Sequence, residues 1–133
     1  MFIGLPGSGK TTAAKKYHDS SPNHPNIFEA DMFFINFKGE YNWNPKELNK
    51  AHQWCQNEVK KSMIKREDVI VSNTFLTPKD RAPYLKLVKE FNYDIEVYTC
   101  TGNFQNEHGV PEKTIEKMKQ KFVPYSENEL KNI

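Results

Sequence analysis

Met1-Phe2-Ile3-Gly4-Leu5-Pro6-Gly7-Ser8-Gly9-Lys10-Thr11-Thr12 opens the chain, and residues 4–11 read G-x-x-x-x-G-K-T. Met1-Phe2-Ile3 reads as a short strand entering the loop, and Thr11 to about Tyr17 as a helix leaving it. A glycine-rich loop in that setting is a phosphate cradle. Glycines let backbone N–H groups turn inward onto oxygen atoms, and the helix behind presents its positive end. Lys10 adds a point charge for the β and γ oxygens, and the Thr11 hydroxyl is placed to ligate Mg²⁺. Gly4, Pro6, Gly7, Ser8, Gly9, Lys10, Thr11 and Thr12 are therefore the expected nucleotide-binding residues, with ATP or another NTP and Mg²⁺ as the ligands.

Working outward, strands and helices alternate. Ser20 to Asn26 is rich in turn formers, and Ile27-Phe28-Glu29-Ala30 reads as a second strand ending at Asp31. After an irregular aromatic stretch, Asn44 caps a helix with Pro45 at its first position, running to about Lys65. Asp68 to Val71 is a third strand, leading into Ser72-Asn73-Thr74. Thr77-Pro78-Lys79-Asp80 starts the next helix, which ends near Phe91. Tyr93 to Cys100 alternates as a fourth strand, and Pro111 opens a last helix to about Phe122. Such alternation gives an α/β fold with a mainly parallel sheet, whose ligands sit at the carboxyl ends of the strands. Asp31, Ser72-Asn73-Thr74 and the segment after Cys100 then belong with the phosphate loop.

The 133 residues suit one compact domain, expected over 1–125 with a lid near 101–122 and a polar, fraying tail over 126–133. Hydrophobic residues at 37% and charged residues at 27% supply a core and exclude a disordered chain. A net charge of +2 neither demands nor excludes nucleic acid. Cys55 and Cys100 form no C-x-x-C pair, and with the phosphate loop at the N-terminus they are expected to be reduced thiols in a cytoplasmic protein (the host cytoplasm if the chain is viral). No apolar run reaches the ~18 residues that cross a bilayer, so no membrane partner is expected.

GLPGSGKTT, EADMFF, Tyr41-x-Trp43, Leu48-x-x-x-His52-x-x-Cys55, VIVSNTFLTPKDRAPYLKLVKEFNYDIEVY and HGVPEKTIEKMKQKF follow one another in this order. In these blocks the chain resembles the P-loop polynucleotide kinases of phage end repair. It is still more similar to the kinase-like P-loop domains of certain ubiquitin-ligase-binding proteins and their viral relatives. The resemblance implies a three-layer P-loop NTPase fold with four to five strands in the order of about 2-3-1-4 and a C-terminal lid helix. It also implies transfer of the γ-phosphate of an NTP to a hydroxyl, typically the 5′-hydroxyl of a polynucleotide; the leading expectation is a hydroxyl of a nucleic acid, a nucleotide or a modified base. Single-stranded nucleic acid or DNA ends would be the partners, Lys10 would be catalytic, and Asp31 would stand where the family keeps its general base. The residue chemistry of Asp31 agrees, because a sheet-end carboxylate can take a proton from an attacking hydroxyl; a turn cap or a second-shell Mg²⁺ contact are its other readings.

The sequence also departs from the family pattern. Met32 replaces a second acid, and Phe34 stands where end-repair kinases hold the acceptor phosphate with arginine. The third strand ends without its usual acid, leaving Asn73 to hydrogen-bond a metal-bound water. Residues 104–108 lack the lid arginine, and His108 is a candidate phosphate contact there. Candidate acceptor contacts are Phe34, Tyr41, Thr74, Arg81, Lys113 and Lys117, the two lysines being alternatively a solvated helix face. Two other readings stay open: a nucleoside or nucleoside-monophosphate kinase, and a nucleotide-binding regulatory module with degenerate catalysis.

Overall fold

The computed structural model describes residues 1–104 and 109–133. The expectations attached to His108, and to an arginine-free lid over 105–108, lie outside the described residues. Four parallel strands form one sheet in the order β2-β3-β1-β4: β1 (Phe2–Ile3), β2 (Asn26–Phe28), β3 (Val69–Asn73) and β4 (Tyr98–Thr99). This is the expected P-loop NTPase architecture and strand order.

Parallel strands need crossovers, and crossovers are right-handed. The step from β1 to β2 runs one way across the sheet; the steps to β3 and β4 run the other. Helix α1 (Lys10–Ser20) therefore covers one face, while α2 (Leu48–Ile64) and α3 (Pro78–Glu90) cover the opposite one. The strand residues divide accordingly. Phe2 and Ile70 pack with Ala14 of α1, whereas Ile3 and Val71 pack with Ala51, Cys55, Leu87 and Val88. Alternation with period two is what lets a short strand serve both layers.

Local chemistry sets the helix starts. The Asn44 side chain accepts from the Lys46 N–H at 3.0 Å, over a 3₁₀ turn Pro45–Glu47 that feeds α2. Thr77 and Asp80 close a reciprocal capping box on α3, with Thr77 N–H donating to Asp80 Oδ2 at 3.1 Å.

One expectation changes. The fourth strand is paired only at Tyr98–Thr99, because its one neighbour, β1, offers a ladder just two residues long. The alternation over Tyr93, Ile95 and Val97 is real, but it serves packing against the core. The polar tail also carries a helix. After α4 (Glu112–Lys121), residues Asn128–Lys131 form α5, which packs on α3 with Leu130 against the core. Among the described residues, no helix is long and apolar enough to cross a membrane.

Candidate active site

The loop between β1 and α1 turns through two left-handed glycines, Gly7 at φ 79° and Gly9 at φ 92°, a conformation side chains rarely adopt. Ser8 N–H donates to Leu5 O at 3.0 Å, and Ala13 N–H donates to Gly9 O at 2.9 Å. The segment after β4 fastens the loop from above: Gly102 N–H donates to Ser8 O at 3.0 Å, and Phe104 N–H donates to Gly7 O at 2.8 Å. The Phe104 ring then lies over the loop. A Cβ on Gly102 would sit 2.4 Å from that ring and 2.7 Å from Ser8 O, so only glycine allows this approach. Gly102 thus serves the phosphate loop from outside the motif.

The loop floors a cleft of about 390 Å³. Pro6, Gly7, Gly9, Lys10, Thr11 and Thr12 line it; Gly4 and Ser8 lie behind, shaping the turn. The ends of β2 and β3 add Glu29, Asp31, Ser72, Asn73 and Thr74. The outer wall is apolar and aromatic, with Tyr41, Trp43, Leu48, Phe104, Val110 and Met118. A phosphate-sized floor under a wall that suits a flat ring is the shape of a nucleotide site. Its left-handed glycines turn the loop around the cleft floor, as a polyphosphate cradle requires.

Burial pulls the Lys10 ammonium below its ordinary range, and the carboxylates of Glu29 and Asp31 oppose that pull. Thr11 Oγ1 donates to Glu29 Oε1 at 3.1 Å. This hydroxyl–carboxylate pair fits a Mg²⁺ ion beside the loop, since a threonine that lends a lone pair to a cation needs an acceptor for its proton. Asp31 lies in a 3₁₀ turn, Ala30–Phe34, directly after β2. Tyr41 Oη donates to Asp31 Oδ1 at 3.2 Å. Burial, then the Asp31 charge and that hydrogen bond, push the Tyr41 hydroxyl up to about 12, so it stays a donor at neutral pH.

Asn73 also takes a structural part. Its Oδ1 accepts from Ala30 N–H at 2.8 Å and its Nδ2 approaches Cys55 Sγ at 3.8 Å. Its amide ties the Asp31 turn to β3 and α2, which gives it a positioning role on the wall of the cleft. Ser72 Oγ, buried beside it on the cleft, has no hydrogen-bond partner among the described residues.

The acceptor candidates separate. Tyr41 and Thr74 line the cleft. Phe34 does not: it is buried in the core, edge-on to Phe33 and Tyr41. Arg81 is fully buried, with Nε and Nη2 each 2.8 Å from the Glu129 carboxylate and further bonds to the carbonyls of Phe75 and Val123. It holds α5 to α3 and reaches no acceptor. Lys113 and Lys117 are exposed and do not line the cleft, which α4 meets through Met118 instead. His52 and Cys55 also part company, the first lining the cleft and the second buried in the core. Sequence reasoning missed Glu29 and Gly102. Glu29 carried a signal, two positions before Asp31 at the same strand end; Gly102 carried none.

Residues 1–103 match the model of the AAA domain family. Human NEDD4-binding protein 2 is 34% identical over 96 residues, which is 71% of this chain and 5% of that protein. Among solved structures, a chain of the Pnkp1/Rnl/Hen1 complex aligns with TM-score 0.61 and 21% identity, over 87% of this chain and 36% of its own. A chain of the Pnkp1/Rnl/Hen1 RNA repair complex aligns with TM-score 0.59 and 17% identity, over 98% and 40%. The chain thus spans a small part of the curated relative and well under half of either structural neighbour. The resemblance read from GLPGSGKTT and the blocks after it is borne out.

Proposed function

The chain belongs to the AAA domain family, and from that premise we propose that it is an ATP- and Mg²⁺-dependent kinase acting on a hydroxyl of nucleic acid. The acceptor is a polynucleotide 5′-hydroxyl or a hydroxyl on a modified base. One observation carries the reading: Lys10, Thr11 and Asp31 converge on a single cleft, with Asp31 held by Tyr41 on the side facing the aromatic wall.

The loop amides and Lys10 bind the phosphates and neutralise charge as it develops. Asp31 accepts the proton of the attacking hydroxyl, oriented by Tyr41 and by the Asn73 bond to Ala30. Tyr41 and Trp43 offer faces on which the acceptor base stacks, worth about 1–3 kcal/mol per base. Bound near Thr11, Mg²⁺ would screen the phosphate oxygens as a Lewis acid.

Labelled ATP offered with 5′-hydroxyl oligonucleotides, nucleosides and modified-base DNA tests this. Label should pass to a nucleic acid, and Asp31→Asn should slow transfer about 10²- to 10⁴-fold while leaving ATP affinity within a few-fold. Transfer to nothing, or an Asp31→Asn protein as active as wild type, sinks the proposal. Label on mononucleosides alone selects a nucleoside kinase.

One observation favours a second reading, a nucleotide-dependent regulatory module. The chain has two arginines, Arg66 and Arg81. Arg81 is consumed by Glu129, and Arg66 bonds the Phe91 carbonyl beside the Tyr93 ring. Neither can act as the arginine finger that contributes about 10³-fold or more in such reactions. ATP binding by calorimetry without turnover or transfer selects this reading.

A further inference from the structure

Resting on that nucleotide-binding reading, we infer that Glu29 is the carboxylate of the divalent-cation site, doing from the end of β2 the work that an acid at the end of β3 would otherwise do.

The register of the sheet places it. Phe28 pairs with Val71, so one step further along, Glu29 stands beside Ser72 on the neighbouring strand. Adjacent strands are about 4.8 Å apart, so a carboxylate on either strand end can serve the same ion. The end of β3 offers Ser72, Asn73 and Thr74, none of them charged. The Asn73 amide is already committed to Ala30 and Cys55. Ser72, beside the cleft, is 1% exposed, and its buried Oγ has no partner among the described residues.

Charge requires a donor from elsewhere. Mg²⁺ in nucleotide sites takes one or two carboxylates, waters and phosphate oxygens. Among the described residues, the cleft is lined by two carboxylates, Glu29 and Asp31. Asp31 is engaged by Tyr41 on the acceptor side. Glu29 accepts from the Thr11 hydroxyl at 3.1 Å, on the phosphate side. An ionised carboxylate has about four lone-pair positions, so it can keep the Thr11 proton and still hold metal-bound water. The Thr11 oxygen is then directed at the cation.

The test is calorimetric binding of a non-hydrolysable ATP analogue, in Mg²⁺ and in EDTA, for the wild type, Glu29→Gln, Ser72→Asp and the double variant. Glutamine keeps the shape and an acceptor for Thr11 but not the charge. Wild type should bind more tightly in Mg²⁺. Glu29→Gln should lose that gain, by about 10- to 100-fold in Mg²⁺-dependent affinity, with its affinity in EDTA unchanged or raised. Ser72→Asp added to Glu29→Gln should restore the gain, which a loss of fold could not explain. A Glu29→Gln protein that keeps the full Mg²⁺ gain overturns this inference and leaves the kinase reading standing. Failure of the wild type to bind the analogue in either buffer overturns the kinase reading itself. Should Glu29→Gln fail to fold, Ser72→Asp alone decides: a second carboxylate must sharpen the Mg²⁺ gain, and indifference to it refutes the shared site.

Discussion

Removing the Glu129 carboxylate will test what Arg81 is for. Arg81 is 0% exposed and the Glu129 side chain 12% exposed, and two 2.8 Å bonds join them in a fork. Glu129→Ala leaves a buried guanidinium with the carbonyls of Phe75 and Val123 and the Tyr125 ring 6.0 Å away, but no counter-charge bonded to it among the described residues. Breaking a buried pair from one side costs about 3–5 kcal/mol, because the remaining charge is stranded in low dielectric. A domain of this size has about 7–20 kcal/mol in total, so the loss is a large fraction of it. It corresponds to a fall in melting temperature of about 12–20 °C. Urea unfolding followed by circular dichroism measures it, with Glu127→Ala as the exposed neighbour on the same segment. The fork also predicts that replacing both partners together by apolar residues costs much less than either single change. If Glu129→Ala unfolds within 1 kcal/mol of wild type, as a solvated pair would, the structural role of Arg81 is wrong. A variant that is stable yet loses acceptor affinity would return Arg81 to the substrate side.

Gly102→Ala should weaken nucleotide binding and cost about 1–3 kcal/mol of stability, since its Cβ meets the Ser8 carbonyl at 2.7 Å; calorimetry and urea unfolding read both. All six tyrosines (17, 41, 84, 93, 98 and 125) titrate above their ordinary value in the folded chain, so phenolate absorbance of the native protein should rise later than that of the unfolded one. The unfolded chain then holds fewer protons than the native above pH 10, so stability should fall as pH climbs from 10 towards 12, where Tyr17 and Tyr41 ionise. Thr77→Ala, which removes the capping box of α3, should cost about 1 kcal/mol in the same unfolding assay. Met118→Arg, which sets a guanidinium where α4 meets the cleft, should speed phosphate transfer by about tenfold or more; a rate unchanged while ATP affinity rises would mean that the cleft lacks charge for binding rather than for the reaction.

The features legible in the sequence are those whose chemistry is local. A glycine loop ending in Lys10 and Thr11 can be read without knowing what packs on it, and so can the caps at Asn44 and Thr77, because each is satisfied within a few residues. Asp31 was legible because strand ends are where α/β sheets bind ligands. Arg81 was not, since the carboxylate that buries it is 48 residues away in a segment whose composition reads as a tail. Phe34 and Tyr41 show the same limit at close range. They sit in one aromatic run, yet one is buried in the core while the other lines the cleft; the turn Ala30–Phe34 places the first and the antiparallel Ile35–Tyr41 bridge the second. Gly102 is legible only once the segment after β4 is known to rest on Ser8.

Charge placement ties these details together. If the proposed kinase reading holds, the site must neutralise several negative oxygens at once, and the cleft brings few cations to the task. Among the described residues, Lys10 is the one lysine or arginine lining the cleft. Burial further disfavours its charged form, and Glu29 and Asp31 oppose that loss. The same two carboxylates would repel a bare nucleotide. Under the proposed reading, Glu29 escapes that conflict only when a divalent ion stands between it and the phosphates. On that reading the cleft suits the metal–nucleotide complex better than the bare nucleotide, and its affinity for ATP should depend on Mg²⁺ more steeply than in a relative whose lid carries arginine.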